Sequence, residues 1–300
     1  MSLAQLEPIL ALLRERARNL PATLEGMRAD FETFASAMPV PEGLQCQAVD
    51  LNGLPGEWLA FPDTAGKTRL LYLHGGGYVI GSIDSHRALM ARLTKVACAR
   101  TCAINYRLAP EHPFPAALGD AVAAYRWLLS HGNDPKRVVL AGDSAGGGLV
   151  LAALVAIRGQ GLPLPAAAVC ISPWTDLACT GESMRAKASV DPLIQKAGAL
   201  LYAQAYLGSH DAKTPLASPL YADVRHLPPV LIQVGGRETL LDDATRMAER
   251  LRAAGVDARI DIWDDMIHVW HFFAHQLDEG KRALDAAGAF IREKVRAAGR

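Results

Sequence analysis

The sequence has no excess of charge of either sign, since its 300 residues include 31 lysines and arginines and 31 aspartates and glutamates. Proteins that bind nucleic acid or anionic surfaces usually concentrate positive charge, so this balance argues against both kinds of partner. The sequence also has no uncharged run that reaches the ~18 residues that a membrane-spanning helix needs. We therefore expect neither a nucleic-acid partner nor a membrane span.

Cysteine is scarce as well, with five residues that are odd in number and scattered along the chain. Cys98 and Cys102 are four residues apart, but no second cysteine or histidine pair completes a metal site. The N-terminus has no basic segment and carries Glu7 before its apolar part, which is unlike a secretory signal. These features favour a soluble, cytoplasmic protein without a disulfide framework.

What the sequence does contain is a sharp junction between two apolar runs. Residues 138–141 form a short, β-branched run typical of a buried strand, and an Ala- and Leu-rich run long enough for a helix follows Gly146. Between them, residues 142–146 read G-D-S-A-G, the G-x-S-x-G pattern of the nucleophile elbow in α/β hydrolases. Ser144 is therefore the candidate nucleophile. The alternative is a glycine-rich turn of the kind that many α/β proteins contain.

Strand and helix patterns alternate along most of the chain. Two amphipathic helices are predicted first, at 2–18 and 22–36, and a hairpin of two strands is predicted around Asn52 and Gly53. The further predicted strands lie at 70–73, 101–106, 138–141, 166–171, 229–234 and 258–263. Helical patterns separate these strands, so we expect a mostly parallel sheet covered by helices on both faces.

The alternation breaks between residues 173 and 227, which we interpret as an excursion away from the sheet. Within it, Asp191 and Pro192 predict an N-cap and the first residue of a helix that runs to about residue 207. In the first predicted helix, the leucines on one face are Leu3, Leu6, Leu10 and Leu13. The sheet needs neither the first predicted helix nor the helix after Asp191 to cover its faces.

In α/β hydrolases the acid and then the histidine follow the nucleophile along the chain. Glu238 is the first carboxylate after the strand that follows the excursion, so we predict it as the acid. Asp242 is the alternative, but it and Asp243 fall in the first turn of the next helix, where acidic residues favour the helix dipole. Thr239 with Asp242 also resembles a capping box.

His268 is the first histidine in the loop after the last predicted strand. We predict that it takes the proton of the Ser144 hydroxyl, while Glu238 holds its other ring nitrogen. His271 and His275 lie a few residues farther on and are interpreted as ordinary surface or packed histidines.

A glycine-rich loop follows the predicted strand 70–73, where residues 74–77 read H-G-G-G. This motif forms the oxyanion hole in lipases and esterases, and we expect the backbone N–H groups of Gly76, Gly77 and Ala145 to form it here. A phosphate-binding loop is the alternative. It is disfavoured because no G-K-[ST] sequence follows.

Together these motifs resemble the bacterial hormone-sensitive-lipase family of esterases, also called family IV. The resemblance rests on H-G-G-G-Y at 74–78, Y-R-L-A-P-E-H-P at 106–113, G-D-S-A-G-G at 142–147, S-P-W-T-D at 172–176 and M-I-H at 266–268. It implies an α/β-hydrolase core of about eight strands under a helical cap. One departure is visible, because many relatives have Asp-Pro-Leu where this chain has Glu238, Thr239 and Leu240.

The resemblance also implies how the chain is divided and what it binds. We expect residues 41–179 and 226–300 to form the catalytic core and residues 1–40 and 180–225 to form the cap. The family acts on small-molecule esters of short to medium acyl chains without a cofactor or metal, and its members often form homodimers through the edge of the last strand. The segment containing Arg107 and Glu111 is interpreted as structural, joining the oxyanion loop to the core.

Three functions are compatible with these residues. The first is a serine carboxylesterase that works through an acyl-enzyme on Ser144. The second is an amidase or peptidase that uses the same three residues, and the third is a non-catalytic ligand-binding protein on the same scaffold. The presence of Ser144, Glu238 and His268 together favours the first.

Overall fold

The computed structural model describes residues 2–64 and 66–300, apart from the side chains of Ser2, Leu3 and Asp63. The helices are α1 (Ser2–Arg18), α2 (Leu24–Ser36), α3 (Ile83–Ala97), α4 (Ala116–Ser130), α5 (Ala145–Gly159), α6 (Ser183–Ala186), α7 (Lys196–Leu207), α8 (Leu241–Ala253) and α9 (Asp278–Ala298). The strands are β1 (Gln45–Asp50), β2 (Pro55–Ala60), β3 (Arg69–Leu73), β4 (Arg100–Ile104), β5 (Val138–Asp143), β6 (Ala167–Ile171), β7 (Val230–Gly235) and β8 (Ala258–Trp263).

The strands form one eight-stranded sheet in the order β1-β2-β4-β3-β5-β6-β7-β8. Strand β2 is antiparallel to its neighbours β1 and β4, and the pairs from β4 to β8 are parallel. The predicted hairpin and the mostly parallel sheet are therefore confirmed. Because parallel strands end at the same edge, the loops after β3, β5, β7 and β8 meet there.

Helices cover both faces of the sheet, as expected for buried parallel strands. On one face, Leu89 and Leu93 of α3 and Phe290 and Ile291 of α9 pack with the sheet residue Val139. The other face carries α4, α5 and α8, whose apolar side chains share a larger buried cluster with the sheet. Strand β5 lies between these layers with all its residues buried.

The N-terminal helix packs on the segment that follows β8. Leu6, Leu10 and Leu13 of α1 are buried in a cluster with Ile267 and Trp270. The side chain of Leu3, which the sequence places on the same face, lies outside the described residues. This contact brings α1 next to the loop that contains His268.

Helix α7 packs on the loop after β3. The ring of Tyr206 on α7 stacks on the ring of Tyr78 with a centroid distance of 3.8 Å. The prediction that this helix begins at Pro192 is wrong, since α7 begins at Lys196. Asp191 instead accepts hydrogen bonds from the backbone N–H groups of Leu193 and Ile194 in a turn before the helix.

None of the helices in the described ranges is long and apolar enough to cross a membrane. Strand β8 lies at one edge of the sheet, and its Ile262 is exposed. The homodimer expected through this edge stays a prediction.

Candidate active site

Ser144 lies at the junction between β5 and α5. Its backbone has φ 52° and ψ −122°, a conformation that few non-glycine residues adopt. Its N–H donates to Ile171 O on the neighbouring strand at 2.8 Å. The turn is tight enough that a Cβ on Gly146 would lie 2.0 Å from Leu73 O, so this position requires glycine. The strained turn of the G-x-S-x-G pattern is therefore present.

The structure brings the three predicted side chains into one hydrogen-bonded chain. His268 Nε2 lies 2.9 Å from Ser144 Oγ, and His268 Nδ1 lies 2.8 Å from Glu238 Oε2. Ser144 follows β5, Glu238 follows β7 and His268 follows β8, so the three residues come from strand ends at one edge of the sheet, with β6 between β5 and β7. The imidazole and the carboxylate are both buried.

The second oxygen of Glu238 is fixed by the protein. Glu238 Oε1 accepts from the hydroxyl of Ser172 at 2.7 Å and from the N–H of Gly235 at 2.6 Å. The Ser172 hydroxyl in turn accepts from the N–H of Val269, the residue after His268, at 3.2 Å. The longer glutamate side chain thus reaches the histidine with both of its oxygens engaged. Ser172 is the first residue of the S-P-W-T-D motif, but that motif by itself does not indicate a contact with Glu238.

Two opposing effects set the pKa of His268. Burial by itself would lower this pKa, because it disfavours the charged imidazolium. The hydrogen bond to Glu238 and the negative charge of Glu238 outweigh burial, so that the net pKa is raised above the ordinary 6.5. The charges of Asp191 and Asp143 act in the same direction.

The H-G-G-G loop passes directly beside Ser144. The N–H of Gly75 is occupied, since it lies 3.1 Å from Asp143 Oδ1 and 3.2 Å from His86 Nε2. Among the described residues, the N–H groups of Gly76 and Gly77 have no hydrogen-bond acceptor. Ala145 is the first residue of α5, so its N–H has no acceptor within the helix.

Gly77 also lies directly under α7. Its φ is +63°, and a Cβ at this position would lie 2.2 Å from Cδ2 of Tyr202. A glycine is therefore needed both for the backbone conformation and for the close approach of the helix.

A buried pair behind Ser144 fixes the H-G-G-G loop. His86 Nε2 lies 3.3 Å from Asp143 Oδ2, and the Tyr72 hydroxyl donates to Asp143 Oδ1 at 2.8 Å. Burial would raise the pKa of Asp143, but the charge of His86 and these hydrogen bonds lower it overall. Asp143 therefore holds the N–H of Gly75 as a carboxylate. Sequence reasoning missed His86, which a helical pattern alone does not distinguish from a packed residue.

The comparisons with known proteins identify the family. Residues 70–272 match the family whose members have the α/β hydrolase fold. The structure of an esterase from the bacterial hormone-sensitive lipase family is 50% identical, with a TM-score of 0.95 over 97% of this chain and 98% of that one. The chain belongs to the bacterial hormone-sensitive lipase family of α/β hydrolases. The resemblance inferred from the motifs and the predicted fold class are therefore confirmed.

This hydrolase also has curated relatives of similar length. An acetyl-hydrolase of Streptomyces hygroscopicus is 48% identical over 261 residues, which cover 87% of this chain and 86% of the relative. An esterase of Acinetobacter venetianus is 33% identical over 263 residues, which cover 86% of this chain and 85% of the relative.

The other acidic residues after β7 contact different parts of the hydrolase. Asp242 Oδ2 accepts from the N–H of Ser183 at 2.9 Å. Asp243 is buried and accepts from the N–H groups of Thr175 and Asp176, and burial raises its pKa to about 8. The predicted capping box is wrong, because the N-cap of α8 is Leu240 and no side chain caps it.

The remaining candidates are structural. His271 is buried, its Nε2 lies 2.9 Å from Gln233 Oε1, and burial lowers its pKa to about 3. Arg107 pairs with Asp120 of α4 at 2.7 Å. Glu111 pairs with Arg28 of α2 at 2.7 Å.

The pairing of Arg28 extends to the residues that follow the H-G-G-G loop. Its guanidinium also donates to Val79 O and to Ala109 O, each at 2.9 Å. Glu111 therefore connects the loop with the N-terminal helices rather than with the sheet.

A cavity of about 460 Å³ opens above Ser144. The polar groups at its base include Ser144 and His268, together with the backbone of Gly76 and Gly77. Its walls are mostly apolar, and the side chains contributed by α1, α2, α7 and the turn before α7 include Leu13, Met27, Phe31, Phe34, Leu193, Ile194, Leu201 and Tyr202. A largely apolar cavity with a few converging polar groups is typical of a small-molecule site.

Proposed function

We propose that this protein hydrolyses short- to medium-chain acyl esters through an acyl-enzyme on Ser144. That it is a carboxylic ester hydrolase follows from its family, whose similar members include the esterases described above. The roles that we assign to individual residues are supported by one observation. Ser144, His268 and Glu238 form a hydrogen-bonded chain, with 2.9 Å between Ser144 Oγ and His268 Nε2 and 2.8 Å between His268 Nδ1 and Glu238 Oε2.

In the first half of the reaction, Ser144 Oγ attacks the ester carbonyl carbon while His268 Nε2 takes the hydroxyl proton. When the tetrahedral intermediate collapses, the bond to the alcohol oxygen breaks and His268 returns the proton to that oxygen. In the second half, His268 takes a proton from water, and the resulting hydroxide attacks the acyl carbon. Ser144 then leaves with the proton from His268, which releases the carboxylic acid. Glu238 stabilises the imidazolium in both halves.

The negative oxygen of each tetrahedral intermediate needs hydrogen-bond donors. The N–H groups of Gly76, Gly77 and Ala145 suit this role, because they lie beside Ser144 and lack acceptors of their own in the described part of the chain. Positioned donors of this kind act strongly in a buried site, and the loss of one costs about 10²–10³ in turnover. The hydrogen bond from the Gly75 N–H to the Asp143 carboxylate keeps the loop in this arrangement.

We also infer that residues 1–40 and 180–225 form a cap over a core made of residues 41–179 and 226–300. In support, α1, α2, the turn before α7 and α7 contribute most of the apolar side chains in the cavity wall. None of these elements contributes a strand to the sheet, and α7 joins the buried cluster on one face of it only through Ala203, Tyr206, Leu207 and side chains packed beside them.

The cavity leads to an expected acyl-chain preference. Each added CH₂ that is buried against the apolar wall contributes up to ~0.8 kcal/mol, or about fourfold in kcat/KM. Once the cavity of about 460 Å³ is filled, further carbons must bend or displace the cap, and kcat/KM should fall. A series of p-nitrophenyl esters of increasing chain length is expected to show a maximum at short-to-medium chains. A continuous rise to long-chain esters would contradict the proposal.

The pH dependence follows from the role of His268 as a base. Because its pKa is raised and the base must be neutral, a higher pH is needed to activate it than for an ordinary histidine. The kcat/KM for p-nitrophenyl butyrate should rise with pH, reach half its maximum above ~6.5 and level off on the alkaline side. An acid optimum with loss of activity above neutrality would argue instead for chemistry between paired carboxylates.

No observation favours an amidase over an esterase. Amines are poorer leaving groups than alkoxides, and matched ester and anilide substrates distinguish the two activities. The third interpretation, a non-catalytic binding protein, is disfavoured because all three residues lie within hydrogen-bond distance.

A further inference from the structure

Asp191 is a buried carboxylate that lies outside the proposed triad but touches the backbone beside it. Only 3% of its surface is exposed, and among the described residues no lysine, arginine or histidine forms an ion pair with it. A buried charge without a counter-ion is costly unless hydrogen bonds satisfy it. The donors that satisfy Asp191 come from two different places.

One carboxylate oxygen of Asp191 binds the backbone of the cavity wall. Its Oδ1 accepts from the N–H of Leu193 at 2.9 Å and from the N–H of Ile194 at 3.0 Å. Both of these residues line the cavity above Ser144. This oxygen therefore fixes the turn that forms part of the wall.

The other carboxylate oxygen of Asp191 binds the loop that contains Glu238. Asp191 Oδ2 accepts from the N–H of Thr239 at 2.8 Å, and Thr239 Oγ1 lies 3.1 Å away. That N–H belongs to the peptide bond that joins Glu238 to Thr239. The carbonyl of Thr239 accepts from the hydroxyl of Ser183 at 2.6 Å, so the segment before α7 holds both backbone polar groups of this residue.

We propose that Asp191 is a positioning residue, which joins the wall of the cavity to the peptide that carries Glu238. This inference rests on the proposed function, because it assumes that Glu238 orients His268. One buried group then sets both the shape of the substrate cavity and the direction from which the acid approaches the histidine.

Only a carboxylate fits this position. Three backbone N–H groups donate to the Asp191 carboxylate, two to Oδ1 and one to Oδ2, whereas the amide of an asparagine has one oxygen and one NH₂ group. Asp191→Asn therefore leaves either the wall turn or the Thr239 N–H facing an NH₂ group. The substitution keeps the size of the side chain but releases one of the two elements.

The negative charge of Asp191 also favours the protonated form of His268. The charged groups that act on this imidazole are Glu238, Asp191 and Asp143, and the neighbouring His271 is held neutral by burial. Removing the charge of Asp191 should therefore lower the pKa of His268, while Glu238 and Asp143 remain.

The test compares Asp191→Asn with Asp242→Asn, since Asp242 holds the same segment through Ser183 without touching the Glu238–Thr239 peptide. For Asp191→Asn and p-nitrophenyl butyrate, we expect kcat to fall about 10–100-fold and KM to rise, because small displacements of catalytic groups are costly. The midpoint of the pH profile should move down by a few tenths to about one unit. For Asp242→Asn, the melting temperature should fall slightly, with the midpoint unchanged and kcat within about threefold, since this variant loses a negative charge in the first turn of α8 while its amide oxygen still accepts from the Ser183 N–H.

Asp191→Glu keeps the negative charge but changes the position of the carboxylate, so it distinguishes the effect of the charge from the effect of the geometry. It also provides the test if the asparagine variant does not fold. It should keep the wild-type pH midpoint but lose about 3–10-fold in kcat, because the longer side chain displaces one of the two contacts. Wild-type kcat and pH midpoint in either Asp191 variant, or a midpoint shift shared by Asp242→Asn, would overturn the proposal. Failure of the proposed function is distinguishable, since full activity in Ser144→Ala would refute it whatever Asp191 does.

Discussion

Ser144→Ala is expected to lower kcat for p-nitrophenyl butyrate by about 10⁶-fold, because the members of a triad act as a unit. Without Oγ there is no nucleophile to form the acyl-enzyme, and the neutral His268 has no proton to take from it. Residual catalysis of the order of 10³–10⁴ over water, from the oxyanion hole and substrate binding, should remain.

The fold should survive this change. The hydrogen bond of the Ser144 hydroxyl is to His268, and the backbone bonds that hold the turn do not involve the side chain. The melting temperature measured alongside kcat should therefore shift by only a few degrees. Substantial turnover in a pure, folded Ser144→Ala protein would exclude Ser144 as the nucleophile.

Glu238→Gln is expected to lower kcat by about 10³–10⁴-fold by selecting the wrong tautomer of His268. At the position of Oε1, the Gly235 N–H is a donor 2.6 Å away, so the amide oxygen of the glutamine must occupy this place. Its NH₂ group then points at His268 Nδ1, which is forced to accept. The proton moves to Nε2, and Nε2 is no longer able to take the proton of Ser144.

Asp242→Asn is the matched control for this variant. Asp242 is the other carboxylate considered from the sequence, but its side chain bonds to Ser183 rather than to His268. The amide oxygen of the asparagine can still accept from the Ser183 N–H, so the loss of the negative charge in the first turn of α8 should cost about 0.3–1 kcal/mol of stability with little change in kcat. If the kinetic effects of the two variants were exchanged, the acid would be Asp242.

Most of the fold follows from local patterns. Parallel strands buried on both faces are short apolar runs, such as the one that ends at Ser144, and glycines, prolines and helical patterns separate them. The start of α7 was not predictable in this way. Asp191 and Pro192 form a good local signal for a helix start, but Thr239, far away in sequence, binds the Asp191 carboxylate. The one-turn helix α6 is likewise too short for a periodic pattern.

The principal residues of the candidate site were predictable because the chain order of the family and the shared edge of a parallel sheet place them together. Ser144 directly follows β5, Glu238 is the first carboxylate after β7, and His268 is the first histidine after β8. The residues that position them were not predictable. Ser172 bonds to Glu238, His86 pairs with Asp143 and Asp191 bonds to Thr239, and each role exists only because the fold brings distant elements into contact.

The most direct test of Ser144 as the nucleophile is labelling of the folded protein with a fluorophosphonate, followed by peptide mass spectrometry and an ester-hydrolysis assay on the same sample. We expect one label per chain on the peptide containing Ser144, loss of hydrolysis in proportion to labelling, and no label in Ser144→Ala. Hydrolysis that persists after Ser144 is fully labelled, or a label that inactivates the enzyme at another residue, would contradict the account.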